Sequence, residues 1–228
     1  MPRWRRSRLH DSSAVATHGL RHHFADMEQQ RASSTLGMWV FLVTEIMFFG
    51  GLFAAYLVYR TAHYDAWVIG SEHMNFWLGT INTVILLCSS LLVALSVHAV
   101  QVGQNRMCAT YLWIASAMGV AFLVLKGIEY HAHFVEGAVP GALWKLAVPD
   151  PRAVQMFFYI YFVMTGLHAL HVTIGVGLLA VIGWRAARGR YSPVYYSPVH
   201  VSGLYWHFVD VVWIFLYPLL YLIAHKKA

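Results

Sequence analysis

Five long apolar segments constrain this chain more than any other feature of its sequence. They cover residues 36–59, 76–100, 108–133, 153–184 and 203–224. The hydrocarbon core of a membrane is about 30 Å thick, and a helix that rises about 1.5 Å per residue crosses it in about 20 residues. Each segment is long enough to do so. We therefore predict an all-α integral membrane protein with five transmembrane helices.

The composition agrees with a membrane protein and argues against other classes. Hydrophobic residues make up 59% of the 228 residues, and only 11% are charged, which is unlike a soluble domain. The formal charge is +6, but the basic residues lie at the chain ends and between apolar segments. Such a distribution indicates membrane topology and does not predict a nucleic-acid partner. Cys88 and Cys108 lack the spacing of a metal or haem-attachment site, so we expect free thiols.

The basic residues predict how the chain is oriented. Five crossings place the tail, Arg106 and the loop after the fourth segment on one side of the membrane. Ten Lys and Arg residues lie on this side, which holds the N-terminus, and five lie on the opposite side, with Lys126 inside a segment. Cytoplasmic loops carry the excess of positive charge, so the N-terminus is predicted to be cytoplasmic and the C-terminus external. Residues 1–34 are read as a cytoplasmic tail with a possible short helix over 25–31, and 35–228 as the membrane domain. Ser33, Ser34 and Thr35 are the predicted N-cap residues of the first membrane helix.

Glu45 lies inside the first apolar segment. Its neighbours three and four residues away are apolar, so its own helix offers no basic partner. A charged carboxylate at the bilayer centre costs about 2.5 kcal/mol or more. We expect Glu45 to be protonated or to meet a polar partner on another helix, either as a functional acid or as a group that only fixes packing.

Lys126 and Glu129 fall near the end of the third segment, three residues apart. This spacing allows an ion pair within one helix, which costs less in a membrane than either charge alone. His131 and His133 follow at the predicted helix end, where we expect both to be solvated. A small and polar stripe in the second segment predicts a buried face.

Two further pairs of polar residues lie in the last two segments. His168 and His171 share a helix face, and two such histidines either ligate haem or a metal or bond to neighbouring groups. The second role is favoured, because no matching ligand pair occurs elsewhere. His207 and Asp210 are also three residues apart, and they form either part of a proton relay or a closed hydrogen-bonded pair.

Five motifs in order resemble subunit III of the haem-copper oxidases, in its shorter bacterial form with five helices. The resemblance covers residues 35–221. The motifs are WVFLVTEIMFFGGLFAAY around Glu45, LGTINTVILLCSS, KGIEYHAHF, TGLHALHVTIG and YWHFVDVVWIFLYPLLY.

The resemblance implies a V-shaped bundle whose cleft holds phospholipids, in the inner membrane of a bacterium. Longer members have two more helices at the start, so here the cleft would be open on one side or completed by another subunit. The chain would have no catalytic centre, metal or redox group of its own. It would bind beside catalytic subunit I, which holds haem and copper, with subunit II and, as an optional member, a small subunit IV, in a proton-translocating oxidoreductase.

In that family the subunit sustains proton uptake and prevents inactivation during turnover. Glu45 matches the family's acid that reacts with a carbodiimide. The resemblance makes the remaining polar residues structural, lipid-facing or proton-buffering: Lys126, Glu129, His168, His171, His207 and Asp210. The electron donor stays open between cytochrome c and quinol. The alternatives are a relative associated with nitric-oxide reduction and, more remotely, a stand-alone proton channel or transporter.

Overall fold

The computed structural model describes residues 26–223, and every regular element in this part of the chain is helical. Five of its six helices are long and apolar enough to cross a membrane. The prediction of an all-α protein with five such helices is therefore confirmed, whereas the V shape and the orientation of the termini stay predictions. In chain order the helices are α1 (Met27–Ala62), α2 (Tyr64–Glu72), α3 (Phe76–Gln101), α4 (Asn105–Glu136), α5 (Pro151–Ala187) and α6 (Ser197–Tyr221).

Side-chain caps begin three of these helices. The Asp26 carboxylate accepts a hydrogen bond from the Gln29 amide at 2.7 Å, and Asn75 and Asp150 cap α3 and α5 in the same way. The N-cap predicted at residues 33–35 is wrong, because Asp26 supplies the cap and α1 continues unbroken through that serine and threonine run. Much of the predicted tail, residues 1–25, lies outside the described residues, and the rest of it belongs to α1 apart from its cap.

A short helix, α2, lies between the first two apolar segments, where no helix was predicted from the sequence. Its Trp67 side chain is fully buried and packs edge-on against Tyr56 of α1 and Phe157 of α5. Gly70 lets α2 approach α5 closely, since a Cβ there would lie 2.3 Å from the Phe157 ring. Burial of this indole thus holds the nine-residue helix against α1 and α5.

Helices α3, α4, α5 and α6 form the packed core of the bundle. The indole of Trp206 on α6 fills the space beside Gly119 of α4 and Gly175 of α5, where added Cβ atoms would lie 2.7 and 2.8 Å from its ring. Its Nε1 donates a hydrogen bond to Ser89 Oγ of α3 at 3.0 Å. One tryptophan therefore joins all four helices, and the helices can come this close because two positions lack a side chain.

Helix α1 lies at the edge of the bundle. It has 36 residues, about 54 Å of helix, and it contacts mainly α6. Its inward face carries Leu42, Phe49 and Tyr56, which are buried, at helical spacing. Most of its other apolar side chains are exposed, with Met47 at 73%. A single seam of side chains therefore holds α1 to the remainder of the bundle.

Candidate functional site

Glu45 meets its polar partner on another helix. Its Oε2 lies 3.1 Å from Nε2 of His171 on α5, and the two side chains are 19% and 14% exposed. The other ring nitrogen of His171, Nδ1, lies 2.8 Å from the carbonyl oxygen of Leu167. A carbonyl only accepts, so Nδ1 carries a hydrogen.

This hydrogen limits the protonation of the Glu45 and His171 pair. Either Nε2 is also protonated and faces a carboxylate, or Nε2 is bare and accepts from a carboxylic acid. In both cases one proton lies between the two side chains, and the pair has no net charge. Phe49 packs edge-on against the imidazole, and the Tyr205 hydroxyl donates to the His171 carbonyl at 3.2 Å. Contacts from α1 and α6 therefore hold His171 in place beside Glu45.

Lys126 and Glu129 form the intrahelical ion pair that their spacing allows, with Lys126 Nζ 3.0 Å from Glu129 Oε2. Lys126 Nζ also donates to the hydroxyls of Tyr161 on α5 and Tyr221 on α6, at 3.1 and 2.8 Å. Both hydroxyls donate in turn to Glu129 Oε1, at 2.9 and 2.5 Å. We call these four residues the Lys126 network. All three ammonium hydrogens of the lysine have acceptors, so the network is closed.

The Lys126 network is enclosed by aromatic rings and a histidine. Lys126 and Glu129 are each 3% exposed, and Lys126 Nζ lies 5.4 Å from the ring centre of Trp213. His133 Nε2 is 3.9 Å from Glu129 Oε1. The prediction that His133 is solvated is wrong, because α4 continues to Glu136 and carries His133 on the same inward face as Glu129. His131 is exposed, as expected.

His168 and His171 point to different parts of the bundle. The His168 ring is buried and stacks on Trp213 of α6, with 5.2 Å between ring centres. Neither of its nitrogens has a hydrogen-bond partner among residues 26–223, whereas His171 faces Glu45. The two histidines therefore do not converge on one ligand. No group of three or more His, Cys, Asp or Glu side chains in the described chain is arranged to hold a metal ion.

His207 and Asp210 do not bond to each other. His207 Nδ1 lies 2.6 Å from Ser90 Oγ of α3, and neither Asp210 oxygen bonds to His207. Of the two roles that their spacing left open, the closed hydrogen-bonded pair is therefore wrong, and the proton relay stays a prediction. Ser90 also lies beside the buried carboxyl group of Asp210, but neither Asp210 oxygen has a hydrogen bond of standard geometry within the described residues. Ser90 therefore stands between an imidazole at the bundle surface and an acid in its interior.

The fold and these side chains define the class of protein. It is a multi-pass helical membrane protein in which two acids of the membrane-spanning helices, Glu129 and Glu45, are paired with the basic side chains of Lys126 and His171.

Comparison with known proteins gives the family. The family model described as Cytochrome c oxidase subunit III matches residues 9–225. The chain is 36% identical over 190 residues to cytochrome c oxidase subunit 3 of Thermostichus vulcanus, covering 83% of this chain and 87% of the relative. It is 32% identical over 205 residues to quinol oxidase subunit 3 of Bacillus spizizenii, covering 88% and 93%. The chain therefore belongs to the cytochrome c oxidase subunit III family, and the resemblance to subunit III of the haem-copper oxidases is confirmed.

Proposed function

We propose that the chain is the non-redox accessory subunit III of a bacterial respiratory terminal oxidase in the inner membrane. It binds beside catalytic subunit I and the copper-binding or donor-docking subunit II, with a small subunit IV as an optional member, and haem and copper lie in partner subunits. The observation that carries the proposal is that Lys126, Glu129 and Glu45 close on partners within the chain, in the Lys126 network and in the pair of Glu45 and His171. These groups stabilise a bundle and do not converge on a reaction centre.

Purification of the chain under mild conditions tests this function. A tagged chain extracted from native membranes in a gentle detergent should bring a large second subunit and the optical spectrum of haem a, b or o. Oxygen consumption with reduced cytochrome c, compared with a quinol, then identifies the donor, because relatives of both kinds occur. A colourless preparation of the chain alone that moves protons would contradict the proposal.

A crevice between α1 and α6 supports a further part of the proposed function, the binding of phospholipid. Its volume is about 430 Å³, and apolar residues line it, among them Ile46 and Leu57 of α1 and Phe208 and Phe215 of α6. It exists because α1 touches α6 along a single seam. An acyl chain is the apolar partner that a membrane supplies to such a crevice, and filling it would support α1.

Two adjacent glycines on α1 provide a test of lipid binding. Gly50 lines the crevice and Gly51 does not, and an added Cβ at either meets no atom within 4 Å. We expect Gly50→Leu to occupy the crevice and to lower the number of phospholipids retained by the purified complex, as counted by native mass spectrometry. Gly51→Leu adds the same side chain outside the crevice and should leave the count unchanged. Equal lipid content in the two variants would contradict this role.

For Glu45 we propose a role as a proton-buffering acid together with His171, in support of sustained proton uptake. Glu45→Gln keeps a hydrogen-bonding side chain against His171 Nε2 and removes the exchangeable acid. We expect normal assembly and an initial rate of oxygen consumption close to that of the unmodified complex, because no redox step passes through this residue. Activity should decline sooner during prolonged turnover. Complete loss of the initial rate, measured with an oxygen electrode, would refute this assignment.

A further inference from the structure

One ring nitrogen of His207, near the middle of the membrane-spanning helix α6, has no hydrogen-bond partner among residues 26–223. His207 is the eleventh residue of the 25 in α6, so about 15 Å of helix separates it from Ser197. Ser90, its partner through Nδ1, lies at a similar depth in α3. Nε2 makes no hydrogen bond with residues 26–223, and the half-buried ring leaves this atom at the bundle surface.

The surface around His207 is apolar on both helices. Leu87 and Leu91 of α3 and Ile214 of α6 are 48%, 61% and 42% exposed. Lipid head groups lie at the membrane surface and not at this depth, and acyl chains have no hydrogen-bonding atoms. An imidazole nitrogen that faces hydrocarbon without a partner is costly. Glu45, also half-buried and inside a transmembrane segment, avoids this cost because His171 pairs with it.

We infer that Nε2 of His207 bonds to a hydroxyl, amide or carboxyl side chain on a transmembrane helix of another subunit, packed along the surface of α3 and α6. Polar side chains that bond across helices hold membrane helices together. Ser90 can donate or accept, so either tautomer of His207 is possible and Nε2 can accept from or donate to such a partner. This inference rests on the proposed function, because it requires that the chain has partner subunits.

Two substitutions separate the outward bond from the bond to Ser90. A glutamine amide reaches about as far as Nε2, whereas an asparagine amide reaches only the position of Nδ1. In the full complex, we expect His207→Gln to keep the subunit associated, and His207→Asn and His207→Leu to raise its loss during detergent washing about tenfold, the effect of one such hydrogen bond. His98→Leu, at an exposed histidine near the end of α3, is the control and should behave like the unmodified complex. Retention by asparagine and loss by glutamine would overturn the inference and leave His207 as a partner of Ser90 only.

Crosslinking gives a readout that does not depend on the folding of these variants. A photoreactive amino acid at Leu91, beside Ser90 and outside the α1 and α6 crevice, should form an adduct with a second polypeptide of the complex. An adduct with lipid alone would overturn the inference while the complex itself still purifies. If no oxidase subunit purifies with the chain at all, the proposed function fails first, so the two failures are distinguishable.

Discussion

Lys126→Met is expected to remove most of the folded chain from the membrane. The substitution keeps a long apolar side chain but leaves the Glu129 carboxylate, 3% exposed, without its ammonium partner. Breaking a buried ion pair by removing one partner costs about 3–5 kcal/mol, a large part of the 5–15 kcal/mol that stabilises a typical protein. Tyr161 and Tyr221 would also lose the donor that orders their hydroxyls. The measurement is the amount of chain in membranes and in the purified complex.

The double variant Lys126→Met with Glu129→Gln is the control for this effect. It removes both charges, while the glutamine oxygen still accepts from the two tyrosine hydroxyls. We expect it to restore much of the lost protein, because replacing both members of a buried pair costs less than removing one. If the single and double variants accumulate equally, the Lys126 network is not held together by charge.

Trp206→Ala is expected to lower the free energy of unfolding by about 3–5 kcal/mol, the usual cost of deleting a large aromatic side chain from a core. The indole is fully buried, and it occupies the space beside Gly119 and Gly175, where added Cβ atoms would meet its ring. Ser89 Oγ would lose its bond to Nε1 as well. The thermal unfolding midpoint of the purified complex in detergent measures the effect.

Trp77→Ala is the matched control, since Trp77 is 72% exposed on α3. It should change the unfolding midpoint only slightly. A similar fall in both variants would mean that loss of any tryptophan weakens the complex, and that the contact between Trp206 and the two glycines has no special weight.

The sequence predicted what depends on local spacing and missed what depends on how helices meet. The five apolar segments and the pair of Lys126 and Glu129 were predictable because length and a separation of three residues decide them. The bond between Glu45 and His171 joins residues 126 positions apart, and no local pattern signals it. The sequence required only that Glu45 be protonated or find a polar partner on another helix.

Other features depended on the same tertiary information. Tyr221 joins the Lys126 network from the end of α6, and its position follows from the relative depth of α4 and α6 in the bundle. The burial of His133 follows from the extension of α4 to Glu136 against α5. The stripe of small and polar residues in α3 indicated a buried face, and Asn82, Ser89 and Ser96 are buried there. It did not show that Trp206 of α6 packs against this face.

The seam that holds α1 has a consequence for the synthesis of this protein. Among the described helices α1 is translated first, and it rests mainly on α6, which is translated last: the Tyr56 hydroxyl donates to the Leu219 carbonyl, and the Arg31 guanidinium lies 4.5 Å from the centre of the ring of Tyr196, the N-cap of α6. Until α6 has been translated and inserted, α1 has few contacts with the nascent bundle. A chain that stops after α5 would keep the bond between Glu45 and His171 but lose most of the packing partners of α1, so a truncation within α6 would loosen the helix translated earliest among those described.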